Sequence, residues 1–371
     1  MTPVYLTGFG LASNLGANLA EALVQVARPP IPQQRAIRGL TQKFPYHAIA
    51  YTASDWKTRC THLIRQVAAE AGYRAGDQPA CSVALYLASS STYVGAMEKG
   101  ESHFENLTDF LAAIAVMLNW QGSVTLINSA CTSSLNALLA AKSALERGLI
   151  DEALVIGLEL DNQLSIAGFA GLQLLSSTQA QPFQAQRDGQ ILGEAVAALR
   201  LSRQPGRWRL VGGAHVIDSS QVSSASAVAY RAMLEQTLKQ AQWEPAQIDV
   251  IKVQASGSVT NDAVEAHALY DFFPSKAVAM PALVSLKPHI GHTLGASGAA
   301  EIALLLAMLA QRQWPTCQQG EDAALNVSLA AQSPQRIAKL LACILGFGGS
   351  HACVAIEAVP CQIISQSNKP P

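Results

Sequence analysis

The chain contains few charged residues. Only 14% of its 371 residues are Asp, Glu, Lys or Arg, and the formal net charge is −1. Typical soluble domains contain about 25% charged residues, whereas half of this chain is hydrophobic. This balance indicates a large buried core together with a buried subunit face. It gives no electrostatic basis for binding nucleic acid or an anionic membrane surface.

The chain also lacks long hydrophobic runs and paired cysteines. The run "IALLLAMLA" at 302–310 is much shorter than the ~18 residues of a membrane-spanning helix. The start "MTPVYLTGFG" has neither the basic segment nor the apolar core of a signal peptide. Seven cysteines without a CxxC pair argue against a disulfide framework or a structural zinc site. We therefore expect a cytoplasmic protein that does not insert into membranes, and no cofactor or metal is implied.

The pattern along the chain alternates between strands and helices. Examples are an apolar strand in "CSVALYLASS" at 81–90, a helix in "NLTDFLAAIAVMLNW" at 106–120 and a strand in "EALVIGLEL" at 152–160. Strands without polar alternation indicate sheets covered on both faces. Residues 189–202 read as hairpin-like β structure opened by an "RDG" turn. Residues 28–45 read as a Pro-rich basic loop, and "SQSNKPP" at 365–371 as a frayed tail.

A strand, a loop and a helix of small residues occur once in each half. The two copies are "SVTLINSACTSSLNALLAA" from 123 and "ALVSLKPHIGHTLGASGAAEIALLLA" from 282. This weak internal symmetry suggests a duplicated α/β unit. The sequence therefore predicts the α/β class.

Cys131 lies where the first of these strands meets its helix. The positive end of a helix dipole favours the thiolate, so the position predicts a lowered thiol pKa and a nucleophile. The alternative is that Cys131 is a small buried hydrophobe, as most free cysteines are. The other six cysteines lie within predicted helices or strands, where no helix dipole favours a thiolate.

A cysteine nucleophile needs a nearby imidazole and an oxyanion hole. His292 lies in a glycine-bracketed turn directly after a buried strand, and Lys287 lies at the end of that strand. Without other information, a histidine in such a turn is more often a loop hydrogen-bonding group, and the lysine a solvated charge. The glycines around Phe347 in "LGFGGSHA" predict a tight turn whose backbone N–H groups converge. A dinucleotide-binding loop is disfavoured, because neither this segment nor "GFGLAS" at 8–13 has the GxGxxG spacing.

Four ordered motifs together resemble the β-ketoacyl-acyl carrier protein synthases of the thiolase superfamily. They are "SACTSSLNALLAAKSALERG", "PFQAQRDGQILGEAVAAL", "LKPHIGHTLGASGAAE" and "LGFGGSHA". The resemblance implies the thiolase fold, with two pseudo-symmetric halves in αβαβα layers, placed at 1–205 and 206–371. It also implies a dimer formed across the strand before the cysteine. The implied reaction is a decarboxylating condensation that extends an acyl chain held as a thioester.

The resemblance also implies roles for individual residues. Cys131 corresponds to the acyl-accepting nucleophile, His292 to one of two active-site histidines and Lys287 to the lysine near it. Phe347 corresponds to the gating aromatic residue, whose backbone N–H forms the oxyanion hole with that of Cys131.

The sequence departs from the family at the second histidine. "VQASGSVTND" at 253–262 places Ser256 at that position, and a hydroxyl carries no positive charge near neutral pH. Losing one donor to a developing oxyanion typically costs about 10²–10³ in rate. His351, after the glycine turn, is a conceivable substitute donor. Residues 88–125 also look abbreviated, which could alter the dimer edge or the acyl tunnel.

Three hypotheses follow. The favoured one is a chain-length-factor-like subunit, resembling the second ketosynthase of aryl polyene pathways, which forms a heterodimer with a complete ketosynthase. The second is a stand-alone or homodimeric ketosynthase that uses acyl- and malonyl-loaded acyl carrier protein. The third is a thiolase or cysteine hydrolase acting on coenzyme A esters. Arg35, Arg38 and Lys43 are candidates for docking an acidic carrier protein.

Overall fold

Strands and helices alternate along most of the chain. The computed structural model describes residues 2–51, 53, 55–73, 82–102, 104–219, 225–316 and 320–360. The strands are β1 Tyr5–Ser13, β2 Gln33–Ala36, β3 Lys43–His47, β4 Val83–Ala88, β5 Val124–Ile127, β6 Glu152–Glu159, β7 Leu192–Gly193, β8 Ala195–Ser202, β9 Trp208–Ile217, β10 Val250–Lys252, β11 Ala282–Val284, β12 Lys339–Gly346 and β13 Ser350–Ala358. The α-helices are α1 Leu19–Gln25, α2 Trp56–Glu70, α3 Val94–Glu98, α4 Leu107–Leu118, α5 Ser133–Glu146, α6 Gln163–Gly171, α7 Ala227–Ala241, α8 Val259–Phe272, α9 Lys287–Ile290 and α10 Ser297–Ala310.

Ten strands form one continuous sheet made of two similar halves. Its order is β11-β10-β12-β13-β9-β1-β8-β6-β4-β5. From β1 outward the neighbouring pairs are antiparallel, antiparallel, parallel and parallel, and from β9 outward the same sequence recurs. The halves meet through a short β1–β9 pairing. The α/β class and the duplicated unit are therefore confirmed.

Two helices form the layer between the halves. Helix α5 packs on β4, β6, β9 and β13, while α10 packs on β1, β6, β8 and β12. Both are rich in small residues, which lets them approach closely: a Cβ on Gly298 of α10 would lie 2.8 Å from a methyl of Leu135 on α5. The start of each helix thus reaches the centre of the molecule.

The outer layers cover the remaining faces of the sheet. Helices α2 and α4 enclose a core cluster with Trp56, Phe110 and Trp120. On the other half, α7 and α8 enclose one with Tyr230, Phe272 and Phe273. The layer order is therefore helix, sheet, helix, sheet, helix, as the αβαβα prediction requires.

Two local predictions are wrong. Residues 28–45 are not simply a loop, because β2 and β3 form an antiparallel hairpin whose Phe44 and Tyr46 are buried. Residues 189–202 are not a hairpin: β7 pairs in parallel with β3, while β8 lies between β1 and β6. An apolar strand read without its partners cannot reveal which sheet it joins.

The predicted boundary between residues 205 and 206 lies in the connection from β8 to β9 and stays a prediction. The tail predicted at 365–371 lies outside the described residues. Among the helices that the structure describes, none is long and apolar enough to cross a membrane.

Candidate active site around Cys131

Cys131 lies in a sharp turn between β5 and α5. Ala130 has a φ of 51°, an uncommon value for a residue with a Cβ. The turn is held by Ser133, whose hydroxyl donates to the Ala130 carbonyl at 2.6 Å and accepts the Ser129 N–H at 3.0 Å. The cysteine is thereby placed two residues before the first residue of α5, with a side chain that is buried.

His292 approaches the cysteine from the other half of the molecule. Its Nε2 lies 3.1 Å from Cys131 Sγ, and its Nδ1 lies 3.0 Å from Ser297 Oγ. Gly291, with a φ of 71°, turns the chain after α9, and His292 N–H donates to the Ile191 carbonyl at 2.6 Å. The two residues predicted from separate motifs are therefore in hydrogen-bond contact.

Phe347 places a backbone N–H beside the same sulfur. The N–H groups of Phe347 and Cys131 both act to lower the pKa of the Cys131 thiol. The turn is made by Gly348 and Gly349, with φ values of 80° and 69°. The Phe347 ring stacks on Phe169 of α6, with centroids 5.1 Å apart. Two convergent amides beside a nucleophile are the arrangement that stabilises a tetrahedral oxyanion.

The thiol and the imidazole are both neutral at neutral pH. Burial raises the pKa of Cys131 to about 11, although the Phe347 N–H and the Lys287 charge act in the opposite direction. Burial and the charges of Lys287 and Lys252 lower the pKa of His292 well below its usual value. The expected lowered thiol pKa is therefore wrong, because desolvation outweighs the helix terminus. A neutral imidazole can accept the thiol proton during attack.

Lys287 lies behind His292 in a buried ionic cluster. Its Nζ lies 3.2 Å from Ser297 Oγ and is paired with Glu301. Lys252 pairs with the same carboxylate at 2.7 Å and donates to the Cys343 carbonyl at 2.8 Å. All three side chains are fully buried. Lys287 therefore reaches the imidazole through Ser297, and two ammonium groups share one carboxylate.

Lys252 and Glu301 are not predicted as site residues from the sequence. A signal was present, since a lysine ends the apolar strand β10 and a glutamate interrupts the apolar helix α10. Lys, Glu, Arg and Asp are almost never fully buried unless paired. The sequence alone does not show that these elements face each other.

Ser256 lies near the Cys131–His292 pair. It lines a cavity of about 20 Å³ together with Cys131, His292, Gln190 and Gln254. Its hydroxyl donates to Gln190 Oε1 at 3.1 Å. The position where the family resemblance places a second histidine thus faces the reactive sulfur, but the serine proton is directed to an amide oxygen.

His351 does not take the place of that histidine. Its Nε2 accepts the Ser226 N–H at 3.1 Å, and its Nδ1 lies 2.9 Å from the Gly349 carbonyl. Both ring nitrogens have backbone partners, and the ring does not line the cavity. The suggestion of His351 as a substitute donor is wrong, because the β13 register turns it toward the start of α7.

A larger cavity lies on the other side of Cys131. It has a volume of about 210 Å³, and its lining includes Val94, Leu164, Phe169 and Leu294 together with Ser90 and Ser91. The cysteine and Phe347 border both cavities. Within the described ranges no group of three or more His, Cys, Asp or Glu side chains could hold a metal ion.

Comparisons with known proteins identify the family to which the chain belongs. Residues 60–205 match the model of the β-ketoacyl synthase N-terminal domain, and residues 212–321 match that of the C-terminal domain. The chain is 28% identical over 270 residues to a non-reducing polyketide synthase of Macrophomina phaseolina, covering 67% of this chain and 12% of that protein. It is 27% identical over 271 residues to a putative polyketide β-ketoacyl synthase 1 of Streptomyces cyaneus, covering 66% and 63%.

Solved structures show the same fold. A ketosynthase ApeO in complex with its chain length factor ApeC, from Xenorhabdus doucetiae, superimposes with a TM-score of 0.80 at 22% identity, over 96% of this chain and 98% of that one. The ishigamide ketosynthase/chain length factor gives a TM-score of 0.83 at 17% identity, over 97% and 100%. The architecture is that of the thiolase-fold ketosynthases.

Alkylation of Cys131 should report its raised pKa. Because the thiolate is the reactive form, the rate with iodoacetamide should increase about tenfold per pH unit from pH 7 to 9 without levelling off. The Cys131→Ala variant corrects for Cys60, Cys343 and Cys353, which are also free thiols. Mass spectrometry gives the rates. A rate that is already constant near pH 7 would contradict a neutral thiol.

Lys252 and Lys287 share the Glu301 carboxylate. Substitutions in this cluster should therefore lower the free energy of unfolding by different amounts. Glu301→Gln leaves two buried ammonium groups unpaired, and breaking a buried pair costs about 3–5 kcal/mol. Lys252→Met leaves the Lys287–Glu301 pair intact and should cost less. Chemical denaturation measures both free energies of unfolding. Equal losses, or a larger loss in Lys252→Met, would contradict this account of the cluster.

Proposed function

Because the chain belongs to the β-ketoacyl synthase family, we propose that it is a ketosynthase-like subunit of polyketide or related polyene assembly. It accepts an acyl chain on Cys131 and works in a heterodimer with a complete ketosynthase. The observation that carries this proposal is the 3.1 Å contact between Cys131 Sγ and His292 Nε2, with Ser256 at the position where the family resemblance places a second histidine.

The acylation step follows from the geometry of the site. Cys131 Sγ attacks the carbonyl carbon of an acyl thioester on the carrier protein, while His292 Nε2 takes the thiol proton. The developing oxyanion is stabilised by the N–H groups of Cys131 and Phe347. The carrier thiol then leaves with the proton that His292 returns. The acyl chain enters the cavity of about 210 Å³ beside Phe169 and Leu294.

Condensation is the step that this chain supports poorly. Loss of carbon dioxide from a malonyl group leaves an enolate that needs hydrogen-bond donors. His292 supplies one imidazole, whereas Ser256 donates its only proton to Gln190. The missing second donor favours a subunit role over a stand-alone ketosynthase.

The partner is proposed to bind along β5. This strand is the outermost of the large sheet on the Cys131 side, and an unpaired edge is a template for another chain. Exposed apolar side chains occur on nearby α4 and on α6, including Val116 at 77% and Leu164 at 65% exposure. Chain length factors form complexes with ketosynthases in structures that share this fold.

An acidic acyl carrier protein is the proposed donor of the acyl chain. Of the three candidate docking residues, Arg38 and Lys43 are exposed. Arg35 Nε donates to Asp161 at 3.1 Å, so its charge is partly committed within the chain. The β2–β3 hairpin therefore offers Arg38 and Lys43 as the stronger candidates.

The proposal is tested with acyl- and malonyl-loaded carrier protein, with and without a complete ketosynthase from the same organism. The chain alone should gain one acyl group on Cys131, seen by mass spectrometry, with little carbon dioxide release. Adding the complete ketosynthase should produce a heterodimer and condensation product. Cys131→Ala is the control for the site of acylation.

Other outcomes separate the alternatives. Efficient condensation by the isolated chain would contradict the subunit role and favour a stand-alone ketosynthase. Acylation from coenzyme A esters but not from carrier protein would favour the thiolase or hydrolase hypothesis. Absence of acylation from either donor would contradict the proposal altogether.

A further inference from the structure

The two cavities that meet at Cys131 differ about tenfold in volume. The larger cavity, beside Phe169 and Leu294, measures about 210 Å³. The smaller one, between Cys131, His292 and Ser256, measures about 20 Å³. A cavity of at least about 10–15 Å³ holds one water molecule. The smaller cavity therefore fits a water but not the several non-hydrogen atoms of a malonyl group.

The lining of the smaller cavity is suited to a water. Ser256 Oγ and the Gln190 amide are hydrogen-bonded to each other and both border it. Gln254 also borders it, is 94% buried, and its Oε1 has no hydrogen-bond partner among the described residues. Buried polar atoms are nearly always satisfied by protein or by ordered water. Gln254 Oε1 is thus a buried acceptor that lacks a donor among the described residues, on a residue that borders the cavity.

The cavity also lies on the reactive side of an acylated cysteine. His292 Nε2 lies 3.1 Å from Cys131 Sγ. Once a thioester has formed, the thiol proton is gone, so this nitrogen is free to accept a proton from water. Cys131 and Phe347 border both cavities, so a carbonyl held by their N–H groups is reached from the small one. A water in the small cavity would lie beside His292 as general base and beside the oxyanion hole formed by the N–H groups of Cys131 and Phe347.

We propose that this chain hydrolyses the acyl thioester on Cys131 with a water held by Gln254, Gln190 and Ser256, and so releases acyl chains from carrier proteins as free acids. This inference rests on the proposed acylation of Cys131 and adds a second, chain-removing activity. The substrate class is the acyl thioester whose chain fits the larger cavity.

The reaction balances without a further reactant. The water oxygen attacks the carbonyl carbon, one water proton moves to His292 Nε2, and the carbonyl electron pair becomes the oxyanion held by the two backbone N–H groups. Collapse of this intermediate breaks the carbon–sulfur bond and releases a carboxylic acid. His292 returns the proton to Sγ, and the acid ionises in solvent. His292 is neutral at neutral pH, as a base in this step must be.

The test uses the full chain with hexanoyl-pantetheine in water enriched in ¹⁸O. The expected result is one hexanoyl group on Cys131, followed by continuing release of hexanoate that carries ¹⁸O. Gln254→Met removes the acceptor at similar volume and should slow the release of hexanoate per acylated Cys131 about tenfold. Gln236→Met, at an exposed position on α7, is the matched control and should behave as the parent chain.

Three results would overturn the inference. One is a hexanoyl-Cys131 adduct that persists for hours without hexanoate, which leaves the proposed subunit role intact. Another is release of hexanoate at the parental rate in Gln254→Met. If that variant does not fold, release at the parental rate in Gln190→Met has the same meaning. The third is absence of acylation, which contradicts the proposed function itself and this inference with it.

Discussion

The contact between the Cys131 thiol and the His292 imidazole is the interaction on which the rest of the site depends. The cysteine follows β5 in the first half, and the histidine follows β11 in the second. Each residue precedes a central helix, and the two helices pack where Gly298 leaves no room for a Cβ against Leu135. A hydrogen bond from Ser134 to the Gly295 carbonyl joins the same two segments. The duplicated fold thus places one reactive group from each half at the same point.

Burial determines how this pair reacts. It raises the pKa of the thiol and, with the charges of Lys252 and Lys287, lowers that of the imidazole. The pair is therefore a neutral acid and a neutral base, and the thiolate forms only as the proton moves during attack. Glu301 keeps the two ammonium groups within the apolar centre. The cluster supplies positive potential behind His292 without touching the sulfur.

Much of the fold and part of the site could be predicted from the sequence. Apolar strands and small-residue helices are local patterns that predict the α/β class and the duplicated unit. The glycine turns before His292 and after Phe347 are also local patterns, and they single out two site residues. The β2–β3 hairpin was missed because Pro and basic residues mask its two buried aromatic side chains. The direction of the Cys131 pKa shift was missed because desolvation depends on packing from the whole molecule. Gln190 and Gln254 lie within the quoted segments at 182–199 and 253–262, but the sequence does not show that Gln190 meets Ser256 in the folded chain.

The central claim is that the Cys131 sulfur carries an acyl group whose carbonyl lies between two backbone amides. A crystal structure of the chain after reaction with an acyl carrier protein tests it most directly. We predict a thioester on Cys131 with its carbonyl oxygen about 2.7–3.1 Å from the nitrogens of Cys131 and Phe347, and its alkyl chain beside Phe169 in the larger cavity. A carbonyl turned away from both amides, or an alkyl chain outside the larger cavity, would contradict the account.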